Sequence, residues 1–88
     1  MNPTTPELIR QRLMPLAPLR LEIEDDSARH AGHAGAREGG HYNLFIVAAA
    51  FAGKSTMARH RLVYDTLGDL GRTGIHALSI RAKAPDEV

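Results

Sequence analysis

Residues 19–24 alternate strictly: Leu19, Leu21 and Ile23 are apolar, while Arg20, Glu22 and Glu24 are charged. A period of two is that of a half-buried strand, so three aliphatic side chains are expected on a core and three charged ones in water. The run His41-Tyr42-Asn43-Leu44-Phe45-Ile46-Val47 predicts a second strand, apolar on both faces and therefore more central. Residues 25–40 follow neither period. They carry Gly32, Gly35, Gly39 and Gly40 with His30 and His33, which predicts a surface loop at the tip of an antiparallel hairpin. A loop of that length in a compact domain is generally functional or disordered.

The longest helical pattern lies in Phe51–Leu70. His60, Val63, Leu67 and Leu70 recur at i, i+3, i+7 and i+10, with Tyr64 beside them. Ser55 is placed to cap the helix, Gly53 to end the preceding segment and Gly71 to terminate the far end. At the N-terminus a second helix is announced either by Thr5 with Pro6 at the first helical position, or by Thr4 with Glu7 closing a capping box. Leu8, Ile9, Leu13 and Leu16 form its apolar stripe, and Pro15 and Pro18 end it. Residues 74–81 predict a third strand with His76, Leu78 and Ile80 on one side, and 82–88 read as a polar tail. A strand–helix–strand crossover is right-handed, which makes the third strand parallel to the second. The expected fold is an α-β-β-α-β domain over residues 1–88, of the α/β (α+β) type, with one mixed three-stranded sheet and helices on one face.

Composition narrows the chemistry. A net charge of +1, from 11 basic and 10 acidic residues, confines any nucleic-acid footprint to a local patch. No run is long enough to span a bilayer and the N-terminus lacks the apolar segment of a signal peptide, so a cytoplasmic protein without membrane attachment is expected. With no cysteine, the chain has neither disulfides nor thiolate chemistry of its own.

Gly53-Lys54-Ser55-Thr56 looks like the tail of a phosphate-binding loop. That loop needs a further glycine at position 48, which is Ala48. A helix start is the better reading. Asp25 and Asp26 make no catalytic dyad, because adjacent strand residues point to opposite faces. No nucleophile–base pair is visible, so the chain is expected not to be an enzyme.

Five histidines in 88 residues remain to be placed. His60 on the apolar helix face reads as a partly buried ring bonded to a backbone carbonyl. His41 and His76 each open a strand, and parallel strands put both at the sheet end reached by the loop of His30 and His33. Several imidazoles therefore converge on one edge as a candidate metal site, without a tight ligand motif to choose the metal. A [2Fe–2S] cluster accepts histidine in place of cysteine on one iron only. This chain could supply one or two imidazoles to such a cluster, and a partner would have to supply the thiolates.

Nearly the whole chain resembles the BolA family. The matching segments are Leu21–Ser27, Arg29-His30, His41-Tyr42, Phe51-x-Gly53-Lys54, Arg59-His60-Arg61-Leu62-Val63-Tyr64 and Ile75-His76-Ala77-Leu78. The resemblance implies a class II KH-like fold and partnership with a monothiol glutaredoxin around a shared [2Fe–2S] cluster, in iron–sulfur trafficking or iron and redox regulation. It implies ligation by His76 and by a loop residue, most plausibly His30, with His33 or His41 as alternatives. Glutaredoxin would supply a cysteine and glutathione the other thiol; no cofactor is expected on this chain alone, which by itself is expected to be a monomer or weak homodimer. The family also implies a second activity as a DNA-binding transcriptional regulator. Lys54, Arg59, Arg61 and Arg72 surround the main helix and are the candidate phosphate contacts. RNA binding of the KH kind is not expected, since Gly53-Lys54-Ser55-Thr56 lacks the second glycine of a G-x-x-G grip.

Overall fold

The computed structural model describes residues 3–26, 40–73 and 75–88, with backbone alone at 72 and 73. The predicted loop lies almost wholly outside the described residues, as do His30, His33, Gly74 and the side chain of Arg72. Helix α1 spans Thr5–Leu13, and Thr4 is its cap. The Thr4 hydroxyl accepts from the Glu7 N–H, and the Glu7 carboxylate accepts from the Thr4 N–H at 3.0 Å. Two of the helix's otherwise unpaired N–H groups are thereby satisfied reciprocally. A 3₁₀ turn, Met14–Leu16, follows, and Ala17 leaves it in the left-handed region at φ 51°.

Strand β1 (Arg20–Asp25) pairs antiparallel with β2 (Gly40–Val47), and β2 pairs parallel with β3 (Ile75–Lys83). The order β1-β2-β3 and both strand senses match the expectation. Between β2 and β3 come a 3₁₀ turn (Ala49–Phe51), helix α2 (Thr56–Leu67) and a short helix α3 (Leu70–Thr73). Ser55 caps α2, its hydroxyl accepting from the Ala58 N–H at 3.1 Å. Gly68, at φ 63°, ends α2 before the predicted terminator Gly71 is reached. The Arg12 guanidinium of α1 donates to the last α2 carbonyl, that of Leu67, at 2.9 Å and to Asp69 at 3.0 Å. A cation on the carbonyl end of a helix complements its dipole.

The core lies between the helices and one face of the sheet. Ile9 and Leu13 of α1, Leu44 and Ile46 of β2, Phe51, and Val63 and Leu67 of α2 are fully buried. Each contributes on the order of 1.5–3 kcal/mol by leaving water. Along β2 the burial alternates: Tyr42, Leu44 and Ile46 enter the core, whereas His41, Asn43 and Phe45 are half-buried on the other face. The central position of β2 thus comes from pairing on both edges, not from cover on both faces. Leu19, expected on the core, is 72% exposed; its N–H bonds the Val47 carbonyl, but it stands just before β1 begins.

Candidate metal-ligand edge

His41 and His76 come together at the sheet end where β2 and β3 both begin. Gly40 pairs with Ile75 and His41 with Ala77, so His76 is an extra residue in β3. This bulge changes the parity of the strand. Ile75 and Leu78, three residues apart, both turn toward the core, and His76 is left exposed. Sequence alternation put His76 on the side of Leu78 and Ile80; the bulge removes it from that side and presents it to solvent. The His41 and His76 rings lie with centroids 4.9 Å apart and planes inclined by 49°. Their chain neighbours Tyr42 and Ile75 are buried in the core, each 7% exposed.

The spacing suits two ligands of one metal ion. With metal–nitrogen bonds near 2.0–2.1 Å, two imidazoles converging on a tetrahedral metal have ring centroids roughly 5 Å apart. No group of three or more His, Cys, Asp or Glu side chains with metal-binding geometry exists among the described residues. Two imidazoles alone leave at least two positions of a tetrahedral ion for other donors. His30 and His33 lie outside the described residues, so of the four candidate ligands the structure brings together His41 and His76.

His60, on α2, is half-buried and lines a hollow with Thr56, Arg59, Ile80, Arg81, Ala82 and Lys83. Among the described residues no hydrogen bond is made by its ring, in place of the expected carbonyl contact. Its position at the other end of β3 separates it from the His41–His76 pair.

The candidate phosphate contacts divide. Lys54 and Arg61 are exposed. Arg59 is engaged: its guanidinium donates to the Lys54 and Ala82 carbonyls, both at 2.9 Å, and grips the Glu87 carboxylate at 2.6 and 3.0 Å. Its side chain is 11% exposed, so it is committed to the fold and not offered to a phosphate. Glu87 belongs to a 3₁₀ turn, Pro85–Glu87, and also accepts from the Ala84 N–H at 2.6 Å. The Arg59 hydrogen bonds first, and the Ala84 N–H second, hold the Glu87 carboxyl down at about 2 from an ordinary 4.5; the same contact with Glu87 raises Arg59. The predicted polar tail is thus partly strand, through Lys83, and partly a docked turn. The sequence carried a signal for it: a proline followed two residues later by a carboxylate that closes back on the N–H before the proline.

Comparison with known proteins agrees with this architecture. The family model described as BolA-like protein matches residues 13–87. The chain is 52% identical over 87 residues to SufE-like protein 1, chloroplastic/mitochondrial, of Arabidopsis thaliana, covering 91% of this chain and 24% of that protein. It is 36% identical over 63 residues to the DNA-binding transcriptional regulator BolA of Escherichia coli (strain K12), covering 72% of this chain and 58% of that one. The solved BolA domain of SufE1 from Arabidopsis thaliana superposes with a TM-score of 0.85 at 50% identity over the full length of both chains. The chain spans about a quarter of the first of these relatives and less than two thirds of the second.

Proposed function

Since this chain belongs to the BolA family, we propose that it is a non-enzymatic binding module that partners a monothiol glutaredoxin and completes a shared [2Fe–2S] cluster with imidazole ligands. The observation that carries this reading is the meeting of His41 and His76 at an open sheet edge, 4.9 Å apart. Two neutral imidazoles are a donor set that one iron of such a cluster accepts. With no cysteine in the chain, thiolates must come from the partner, which makes the site an interface by its chemistry. The exposed His76 is the first ligand, and the second is His41 or an imidazole from residues 27–39. The bound cluster would supply electron storage or a transferable iron–sulfur unit; this chain's part is to present the imidazoles and to back them with a rigid core.

The test is spectroscopic. Visible absorption and circular dichroism of a cluster-loaded monothiol glutaredoxin are recorded while this protein is added. A new spectrum is expected, and His76→Ala should abolish or alter it, whereas His60→Ala should leave it intact and lower the thermal midpoint. An unchanged spectrum at high concentration of the parent protein would sink the proposal.

DNA binding is the second reading, favoured by the exposed Lys54 and Arg61 beside α2 and by the printed name of the Escherichia coli relative. Engagement of Arg59 reduces the described cations available to it.

A further inference from the structure

His41 belongs to the face of the sheet that no described helix covers. Its companions there, by register, are Asn43 and Phe45 on β2, Glu22 and Glu24 on β1, and Ala77, Ser79 and Arg81 on β3. A shallow hollow of about 530 Å³ begins one step along this face from His41, lined by Glu24, Asn43, Phe45, Ser79 and Arg81 among others. The described helices lie on the opposite side, so this face is one of the approaches to His41 and His76 that no described helix blocks.

The polar groups of the hollow are not equally provided for. Arg20 bonds Glu22 at 2.6 Å, and Asn43 bonds Glu24 at 2.7 Å. Two guanidinium groups lie over the Phe45 ring, that of Arg20 at 5.2 Å and that of Arg81 at 5.1 Å from the centroid; Arg20 is held by Glu22, whereas Arg81 meets no carboxylate among the described residues. A guanidinium held on an aromatic plane, with its N–H donors free, is built to receive a carboxylate. Arg20 is matched by Glu22, whereas Glu24 on β1 is bonded by the neutral Asn43, so among the described residues the unmatched charges are Glu24 on β1 and Arg81 on β3, and a complementary partner can sit in one orientation.

We propose that this helix-free face is the docking surface for the cluster-bearing partner, with Phe45 as its apolar platform and Arg81 as the cation that receives an acidic side chain of that partner. The inference rests on the shared-cluster reading above and adds where the partner lies. Charge reversal on this face should weaken association without changing the ligands, whereas loss of a ligand should change the spectrum of the saturated complex.

The experiment is the same titration, followed to saturation, with Arg81→Glu, Arg81→Gln and, on the exposed side of α2, Asp65→Lys. Arg81→Glu should weaken association at least about ten-fold and reach the parent spectrum at saturation. Arg81→Gln should fall between, and Asp65→Lys should stay within about two-fold of the parent. In the unaltered, isotope-labelled protein, partner addition should shift the amides of Glu22, Asn43, Phe45 and Ser79 more than those of α2, a readout independent of any variant's folding. If the parent spectrum changes but Arg81→Glu titrates like the parent, or the shifts fall on α2, the docking inference is overturned and the shared cluster stands. If the parent gives no spectral change, the shared-cluster reading falls and the docking inference with it. Movement of the same amides on concentrating the protein alone would assign the face to a second copy and would also overturn the proposal.

Discussion

Replacing Phe51 by alanine asks whether Phe51-Ala52-Gly53-Lys54-Ser55 is a structural joint or a ligand loop. Phe51 is fully buried between α1, α2 and the sheet. Its turn is closed by hydrogen bonds from the Phe51 N–H to Ala48 and from the Lys54 N–H to the Phe51 carbonyl. Truncating a buried phenylalanine costs about 3–5 kcal/mol, because the lost transfer energy is joined by that of the cavity left behind. An 88-residue domain has roughly 4–13 kcal/mol in total. Phe51→Ala should therefore remove a large part of the stability, lowering the thermal midpoint by at least about 12 °C and the urea midpoint in proportion. Gly53→Ala should cost about 1 kcal/mol: φ is +74° and the space beside it is empty, so the penalty is backbone strain and not a clash. Met57→Ala, at a residue 71% exposed, should stay within about 0.5 kcal/mol. Far-UV circular dichroism against urea and temperature measures all three. The same melts with inorganic phosphate or MgATP should show no rise, although a ligand at a hundred times its Kd would add about 2.7 kcal/mol. A loss of under about 1 kcal/mol in Phe51→Ala, or a phosphate-dependent rise, would refute the joint.

Three further outcomes are expected. His41→Phe keeps an aromatic ring beside His76 but no nitrogen; if His41 is a ligand, the mixed-complex spectrum changes as it does with His76→Ala, and if a residue of 27–39 is the ligand, it does not. Glu87 has a folded pKa of about 2 against an ordinary 4.5, so the stability it contributes is complete above about 4.5 and is lost as pH falls from there toward 2. Acid titration of the thermal midpoint should show that loss, and Glu87→Gln should flatten it. If DNA is bound through Lys54 and Arg61 alone, two neutralised phosphates give a slope of log K against log salt near −1.8; a markedly steeper slope would bring in cations beyond these two, and no binding at low salt would remove the reading.

Where local chemistry decides an element, the sequence was legible. The Ser55 cap, the Thr4–Glu7 alternative and the alternation of residues 19–24 each rest on neighbours within four positions, and the parallel third strand followed from chirality. Misreadings arose where distant residues decide. Leu19 continues the alternation but stands before β1 and in water, which no local period records. Gly71 was read as the terminator, yet Gly68 takes the positive φ, and Arg12, far away in the chain, meets the carbonyl end of α2 there. Arg59 looked like a phosphate ligand until Glu87, 28 residues on, was found to hold it. The convergence of His41 and His76 was foreseen from strand direction, but the solvent-facing placement of His76 was not, since a single inserted residue leaves no mark in composition or period. Phe45 and Arg81 went unnoticed because their partnership exists only in the register between β2 and β3.

The extra residue at position 76 has a consequence for how this site can be lost. It works as a half-step between two registers that would otherwise clash, letting Ile75 and Leu78 share an orientation that simple alternation forbids. A change that cancelled the half-step between Ile75 and Ala77 would carry the imidazole off the rim, while the ladder from Leu78 to Lys83 stayed in place. Such a chain would keep the core side of β3 and lose the His41–His76 meeting on which the shared-cluster proposal rests.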